Sequence, residues 1–243
     1  MDNLNRNLEF SLDLPGTPGE VWALLTQSDG ITRWFAPEAR VTPGLGGSIT
    51  LSWGPGMEGE APITEWEPER VLAWTESSGR VVKFTLEPAG PDSTRLHLLN
   101  TGFRADASGD NEYSSTSNGW QSFLALLRHD LAYHRGRPSR HVCRMRMDKR
   151  DRSEWQASLL SRMNFSQDGE RYSISLPGGV SLEGRILYER APGYLVLSHQ
   201  DGALALFIEP CGAEAALTAS CYLKGEGVSR AKEFEQVLAS WAE

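Results

Sequence analysis

The residues that could carry acid–base or metal chemistry are few and form no recognised pattern. The five histidines are His97, His129, His134, His141 and His199. None has a cysteine or carboxylate partner at the spacing of a zinc site, and a separation of five residues does not place His129 and His134 on one helical face for a metal. We therefore interpret all five as surface or strand-face residues, and we expect no metal and no cofactor.

Nucleophile motifs are also absent from the sequence. It contains no Gly-x-Ser-x-Gly elbow and no P-loop. Ser229 and Lys232 match Ser-x-x-Lys, but the companion motifs are missing and the segment opens an ordinary helix. The carboxylates of Glu58 and Glu60 share one strand face, where solvated charges are expected. With no convincing acid–base pair, the sequence favours a protein that is not an enzyme.

The aromatic residues are the strongest chemical signal, because the chain contains eight tryptophans in 243 residues. A ligand pocket needs apolar walls and a few polar groups, for which Asn100 and Glu60 are candidates. The alternative is that the rings only fill the core. The candidate ligand-binding residues are Trp34, Phe35, Trp53, Trp66, Trp74, Phe84, Leu98, Asn100, Trp120, Phe123 and Leu127.

The elements that would position these rings follow from periodicity. Residues 118–134 place apolar side chains at helical spacing and predict a long helix. Thr17-Pro18-Gly19-Glu20 predicts a capping box that opens an earlier helix, and residues 31–35 predict a short helical turn. Residues 103–116 are polar and predict a loop that could act as a lid. Alternation predicts strands at residues 8–14, 48–53, 58–66, 71–75, 81–87 and 95–101.

The same order of elements starts again after the apolar-free segment 134–141. Leu86-Glu87-Pro88-Ala89-Gly90 recurs as Ile208-Glu209-Pro210-Cys211-Gly212, and Glu58-Gly59-Glu60 recurs as Glu183-Gly184-Arg185. Such a repeat predicts two copies of one architecture, with domains at residues 1–136 and 141–243. The second copy lacks counterparts of the 31–35 turn and of the long loop. Its predicted strands are 142–147, 172–176, 182–189, 194–199, 204–209 and 216–223, before a closing helix at 229–241.

Composition excludes several classes of partner. The net charge is −8, and no basic cluster would bind nucleic acid or an anionic membrane. No run of eighteen apolar residues spans a bilayer and no signal peptide is visible, so we expect a cytoplasmic protein. The three cysteines are odd in number and match no zinc or redox spacing, which indicates free thiols in a reducing compartment.

Several ordered motifs resemble one known family. They are Ile31–Pro37, Gly46–Ile49, Trp66–Val71, Phe84–Pro88, Thr94–Leu96, Thr101–Phe103 and Gly119-Trp120. This set is similar to the branch of the START-like (SRPBCC, Bet v 1-like) superfamily that resembles the activator of Hsp90 ATPase. The resemblance implies a bacterial-type, stress-response protein of the α+β helix-grip fold, in which a curved antiparallel sheet grips a long C-terminal helix around a cavity. The second copy is degenerate, without the Trp-Phe segment.

Fold alone does not decide function in this superfamily. Our first hypothesis is non-enzymatic binding of a small hydrophobic or aromatic ligand in the cavity of the first domain. The second is a co-chaperone or protein-interaction module that binds a chaperone or another protein. The third is a cyclase- or hydrolase-like enzyme that acts on a substrate in the cavity.

Overall fold

The computed structural model describes residues 6–54, 56–176 and 179–241. The chain forms two compact units. The first comprises residues up to Ser117 together with Leu131–Tyr133, and the second comprises Asn118–Asp130 together with the chain from His134 onward. One long helix therefore contributes to both units. The domain limits of 1–136 and 141–243 stay a prediction.

The first unit is built on a seven-stranded antiparallel sheet. Its strand order is β1-β7-β6-β5-β4-β3-β2. The predicted strand at 71–75 is confirmed to the residue, whereas β2 was not predicted because its five residues carry a weak polar alternation. The strands are β1 Arg6–Pro15, β2 Glu38–Thr42, β3 Ser48–Ser52, β4 Glu58–Glu67, β5 Val71–Thr75, β6 Val81–Gly90 and β7 Ser93–Phe103.

Two short helices follow β1 and lead into the edge of the sheet. Helix α1 spans Pro18–Thr26 and α2 spans Ser28–Thr32. The predicted capping box is confirmed, since the Thr17 hydroxyl accepts from the Glu20 N–H and the Glu20 carboxylate accepts from the Thr17 N–H at 2.8 Å. These bonds satisfy N–H groups that have no partner within the helix. Helix α1 then packs against β6 and β7.

Helix α3 spans Asp110–Tyr133, so it begins eight residues before the predicted start. The prediction of a mobile loop over 103–116 is therefore wrong for 110–116. The polar residues form helix because distant partners fix them: Arg6 Nη1 lies 2.6 Å from Asp110 Oδ1, and Arg80 pairs with Glu112. Both carboxylates also lie in the first turn, where negative charge stabilises a helix.

The second unit repeats the sheet with the strand order β8-β14-β13-β12-β11-β10-β9. The predicted strand at 194–199 is confirmed to the residue, and the short edge strand β9 was not predicted. The strands are β8 Ser139–Asp148, β9 Ser166–Asp168, β10 Arg171–Leu176, β11 Val180–Arg190, β12 Tyr194–His199, β13 Gly202–Cys211 and β14 Glu214–Lys224.

The helices of the second unit are α4 at Arg152–Arg162 and α5 at Ala231–Ser240. The Asp151 carboxylate caps α4 by accepting from the N–H groups of Ser153 and Glu154. The predicted closing helix starts as a 3-10 turn at Gly225–Arg230 and becomes α-helical two residues later than expected. One apolar core joins α4, α5 and the inner face of this sheet.

The two sheets share a register, which defines equivalent positions. In both, a bulge follows the first pair of one ladder: Ile63 pairs with Trp74, and Ile186 pairs with Leu197. Counting along the ladders makes Leu86 equivalent to Ile208, as the Glu-Pro-x-Gly repeat predicted. It makes Gly184 equivalent to Ala61, however, so the predicted match between the two Glu-Gly segments is wrong by two residues.

Within the described part of the chain, no helix is both long and apolar enough to cross a membrane.

Candidate functional site

An apolar pocket of about 10 Å³ lies beneath α2 in the first unit. This volume is enough for one water molecule and is far below that of an ordinary ligand pocket, which is roughly 300–1,000 Å³. Helices α1 and α2 and strands β3, β5 and β6 form its walls, and every lining side chain is apolar. The lining residues are Leu25, Ile31, Trp34, Phe35, Ile49, Leu51, Trp74 and Phe84.

Trp34 forms a fixed wall of this pocket. The side chain follows α2 and is 2% exposed. Its indole Nε1–H donates to the Leu24 carbonyl at 3.0 Å, one of the carbonyls at the end of α1. A buried indole N–H needs such an acceptor, and this bond fixes the orientation of the ring.

Phe35 is held differently, because it is only half-buried. Its ring stacks on Trp34 with the centroids 5.2 Å apart and the planes 20° apart. The Trp53 ring is perpendicular to it, with the centroids 5.5 Å apart and the planes at 86°. Phe35 therefore occupies a slot between one stacked and one perpendicular aromatic ring, at the border between pocket and solvent.

Neighbouring strands supply the opposite wall. Trp74 on β5 and Phe84 on β6 have ring centroids 5.6 Å apart, and both are buried. Alternation along β6 turns Val82, Phe84 and Leu86 inward while Lys83 and Thr85 remain partly exposed. Four aromatic side chains predicted from the sequence thus line one pocket: Trp34, Phe35, Trp74 and Phe84.

The structure places the other predicted site residues elsewhere. Trp53 contacts the pocket only through Phe35, and Trp66 packs on Trp22 at 5.0 Å outside it. Leu98 and Asn100 are buried on β7 but are not among the lining residues, and the Asn100 amide donates to the Val81 carbonyl. Glu60 is exposed, so its prediction as a polar cavity group is wrong.

The remaining predicted residues, Trp120, Phe123 and Leu127, lie on the part of α3 that belongs to the second unit. There the Phe123 ring packs edge-on against Phe207 at 5.5 Å. The sequence interpretation missed four aliphatic lining residues of the first pocket. Their signal was the buried faces of α1, α2 and β3, and they are Leu25, Ile31, Ile49 and Leu51.

The second unit has a pocket of similar volume, about 10 Å³, between α4 and its sheet. Its walls are aliphatic except for one amide, and no aromatic ring lines it. The lining residues are Gln156, Leu159, Leu160, Gly193, Leu195, Leu206 and Ile208.

The prediction that the histidines are surface or strand-face residues is wrong for His134, which follows α3 and is 5% exposed. His199 lies on strand β12 but is also 5% exposed, and His129 is half-buried on α3. The His129 and His134 rings meet at the end of α3, with their Nε2 atoms 3.3 Å apart. No group of three or more potential metal ligands that could hold an ion occurs in the described residues.

Comparison with known proteins agrees with the motif resemblance. Residues 15–132 match the family model described as "Activator of Hsp90 ATPase homolog 1-like protein". This part of the chain is similar to that family. The predicted fold of two START-like α+β units is confirmed, with each unit an antiparallel seven-stranded sheet packed with helices. No curated protein matches the sequence.

Three solved structures illustrate what this chain is similar to. The Aha1 dimer from Colwellia psychrerythraea is 18% identical, covering 52% of this chain and 96% of that chain, with a TM-score of 0.47. A protein from Mesorhizobium loti is 25% identical, and the match covers 52% of this chain and 96% of that chain with a TM-score of 0.45. The di-domain ARO/CYC BexL from the BE-7585A biosynthetic pathway is 13% identical, and the match covers 97% of this chain and 94% of that chain with a TM-score of 0.47.

Proposed function

We propose that the first unit binds a small, uncharged, planar aromatic molecule, and that this ligand takes the place of Phe35 against Trp34. The observation that carries the proposal is the stack itself. Phe35 already presents a flat ring at 5.2 Å and 20° to Trp34, beside the perpendicular Trp53 ring. An aromatic ligand in the same slot would recover both contacts, which are the favoured geometries for aromatic pairs.

The small volume of the pocket decides how such binding must occur. A cavity of about 10 Å³ holds no organic molecule, so the ligand must displace a side chain. Trp34 is held by a hydrogen bond to Leu24, and Trp74 and Phe84 are buried in the sheet. Phe35 is the only half-buried ring among the aromatic residues that line the pocket, and its departure opens the pocket at the least free-energy cost. Binding therefore selects a minor open state, which lowers the apparent affinity.

The composition of the walls favours binding over catalysis. All eight lining side chains are apolar, so none of them can donate or accept a proton in a reaction. This separates the binding hypothesis from the cyclase- or hydrolase-like alternative. The co-chaperone alternative rests on the family description alone, and an aromatic pair that packs inward on α1 and the sheet does not suit a surface anchor.

Titration of the intact chain with naphthalene, followed by quenching of tryptophan fluorescence, tests this proposal. Phe35→Ala empties the slot in advance and is expected to tighten binding by roughly tenfold, because the ligand no longer competes with the ring. Phe35→Trp enlarges the competing ring and is expected to weaken binding.

The second unit provides the matched control. Leu160→Ala enlarges the aliphatic pocket under α4 in the same way, and it is expected to leave the naphthalene affinity unchanged. Equal tightening by Phe35→Ala and Leu160→Ala would mean that naphthalene fills any enlarged apolar cavity. Weaker binding to Phe35→Ala would show that Phe35 is part of the site and does not compete for it. Either result contradicts the proposal.

A further inference from the structure

A buried polar cluster lies in the second unit, where the end of α3 meets the sheet. The Asp130 carboxylate of α3 lies 2.8 Å from the Lys224 ammonium of β14, and both side chains are at most 3% exposed. Lys224 Nζ also donates to the Ser139 hydroxyl at 2.9 Å. Beside this ion pair, the Nε2 atoms of His129 and His134 lie 3.3 Å apart.

The same segment of α3 is held on the sheet by two further contacts. Phe123 packs against Phe207, and the Tyr188 hydroxyl donates to the Asn118 side-chain oxygen at 2.8 Å. The segment Asn118–Asp130 is thus docked along its length, with the polar cluster at its C-terminal end. None of these residues is used by the proposed binding of an aromatic ligand, and the inference below does not depend on it.

We propose that the His129–His134 pair makes the docking of α3 on the second sheet acid-labile. A hydrogen bond between two imidazole rings needs one proton between the facing nitrogens, with one ring donating and the other accepting. One additional proton can be held on this pair. A second additional proton would direct two N–H groups at each other across 3.3 Å, beside the buried Lys224 ammonium. The contact between the two rings would then break.

Several other charged and titratable groups face this pair or act on it. The backbone of Gly202, the first residue of β13, acts on His129 and favours its charged form. The charged groups that act directly on the pair are the acidic Asp130 and the basic Lys224 and Arg137. The pair also interacts with a third histidine, His199, on which Asp201 and Arg230 act in turn. The basic groups disfavour a further positive charge, and the buried Asp130 is already paired with Lys224.

The direction of the pH effect follows from the pKa values. Burial, and secondarily the charge of His129, lowers the pKa of His134 from 6.5 to about 4, and burial also lowers the pKa of His129. The undocked segment would have an ordinary histidine pKa near 6.5. The docked state is therefore fully favoured above pH 6.5 and loses its advantage as the pH falls from 6.5 to 4. For His134 alone, lowering the pH from 7.5 to 5.0 weakens docking roughly 30-fold.

Hydrogen exchange of the intact chain at pH 7.5 and pH 5.0, corrected for the intrinsic rates, measures this effect. We expect the protection of amides 124–133 to fall by roughly 30-fold in the wild type. His129→Gln together with His134→Gln retains hydrogen-bonding groups that do not titrate, and the fall is expected to be less than about threefold. His97→Gln, on the first sheet, should behave as the wild type.

His199 requires its own control because burial lowers its pKa to about 4 as well. Its ring stacks on Phe234 and its Nε2 lies 3.8 Å from Cys221 Sγ, in the inner core of the second unit. His199→Gln should leave the acid response of amides 124–133 unchanged. An equal loss of protection in the wild type and in the double variant would overturn the proposal. If the double variant does not fold, NMR titration of the wild-type rings decides, and a His134 that titrates near 6.5 would overturn it.

Discussion

The two sheets have the same strand order and register, but they differ in what their faces carry. At equivalent inward positions the first sheet has Trp74 and Phe84, whereas the second has Leu197 and Leu206. The pocket of the first unit is therefore lined by aromatic rings and contains the Phe35 slot, whereas the pocket under α4 is lined by aliphatic side chains and one amide. A flat aromatic ligand finds stacking partners in the first pocket and none among the residues that line the second.

The outward faces of the two sheets also carry different residues. The first sheet carries Glu65 and Lys83, which form a partly exposed ion pair at 2.7 Å. Their equivalents in the second sheet are Tyr188 and Ala205, and Ala205 is fully buried. The Asn118–Asp130 segment of α3 packs on the outer face of the second sheet through Tyr188, Phe207 and Lys224. Two copies of one architecture thus present different faces for packing.

The sharpest test of this difference exchanges one outward side chain. Ala205→Lys places a lysine at the buried position of the second sheet. The equivalent position of the first sheet already has a lysine, Lys83, which is partly exposed. An ammonium with no partner under α3 is expected to destabilise the second unit by about 4 kcal/mol or more. Lys83→Ala in the first sheet should cost less than about 1 kcal/mol. Chemical denaturation measures both, and equal effects would show that the two outer faces are equally exposed.

A second comparison uses the two ion pairs. Asp130→Asn leaves the Lys224 charge buried without a counter-ion and is expected to cost about 3–5 kcal/mol. Glu65→Gln breaks the exposed pair and should cost less than about 1 kcal/mol. Replacing both Asp130 and Lys224 by leucine and methionine should restore most of the lost stability, since an apolar pair has no charge to desolvate. A mild effect of Asp130→Asn in thermal melts would mean that water reaches Lys224.

The smallest expected effect concerns the beginning of α3. Arg80→Ala removes the ion pair with Glu112 and a contact over the Phe103 ring at 5.3 Å. Because this cluster is near the surface, we expect a loss of about 0.5–1 kcal/mol, with increased amide exchange limited to residues 110–116. Exchange that spreads into residues 118–130 would show that the two parts of α3 unfold together and do not belong to separate units.

The sequence predicted the elements more successfully than their surroundings. Strands β5 and β12 were predicted to the residue because apolar runs between turn residues define them. The run Tyr194-Leu195-Val196-Leu197 does not alternate, and a strand of that kind is buried on both faces. This signal pointed to a covered outer face in the second unit, and the sequence interpretation did not use it.

Other features could not be predicted because they depend on residues far apart in the chain. The first turns of α3 are polar and were interpreted as a loop, since nothing local indicates that Arg6 and Arg80 would pair with them. The four aromatic pocket residues were identified from their type, Trp74 and Phe84 on predicted strands and Trp34 and Phe35 on the predicted helical turn. Packing alone determines that Phe35 fills the pocket and that His129 meets His134.

Displacement of Phe35 from Trp34 by a planar aromatic ligand can be followed at the ring itself. ¹⁹F NMR of 4-fluorophenylalanine incorporated at position 35 is recorded during titration with naphthalene, together with tryptophan fluorescence. We expect the fluorine signal to move from a buried to a solvent-exposed chemical shift over the concentration range that quenches the fluorescence. Quenching with an unchanged fluorine signal would place the ligand elsewhere and contradict the proposed displacement.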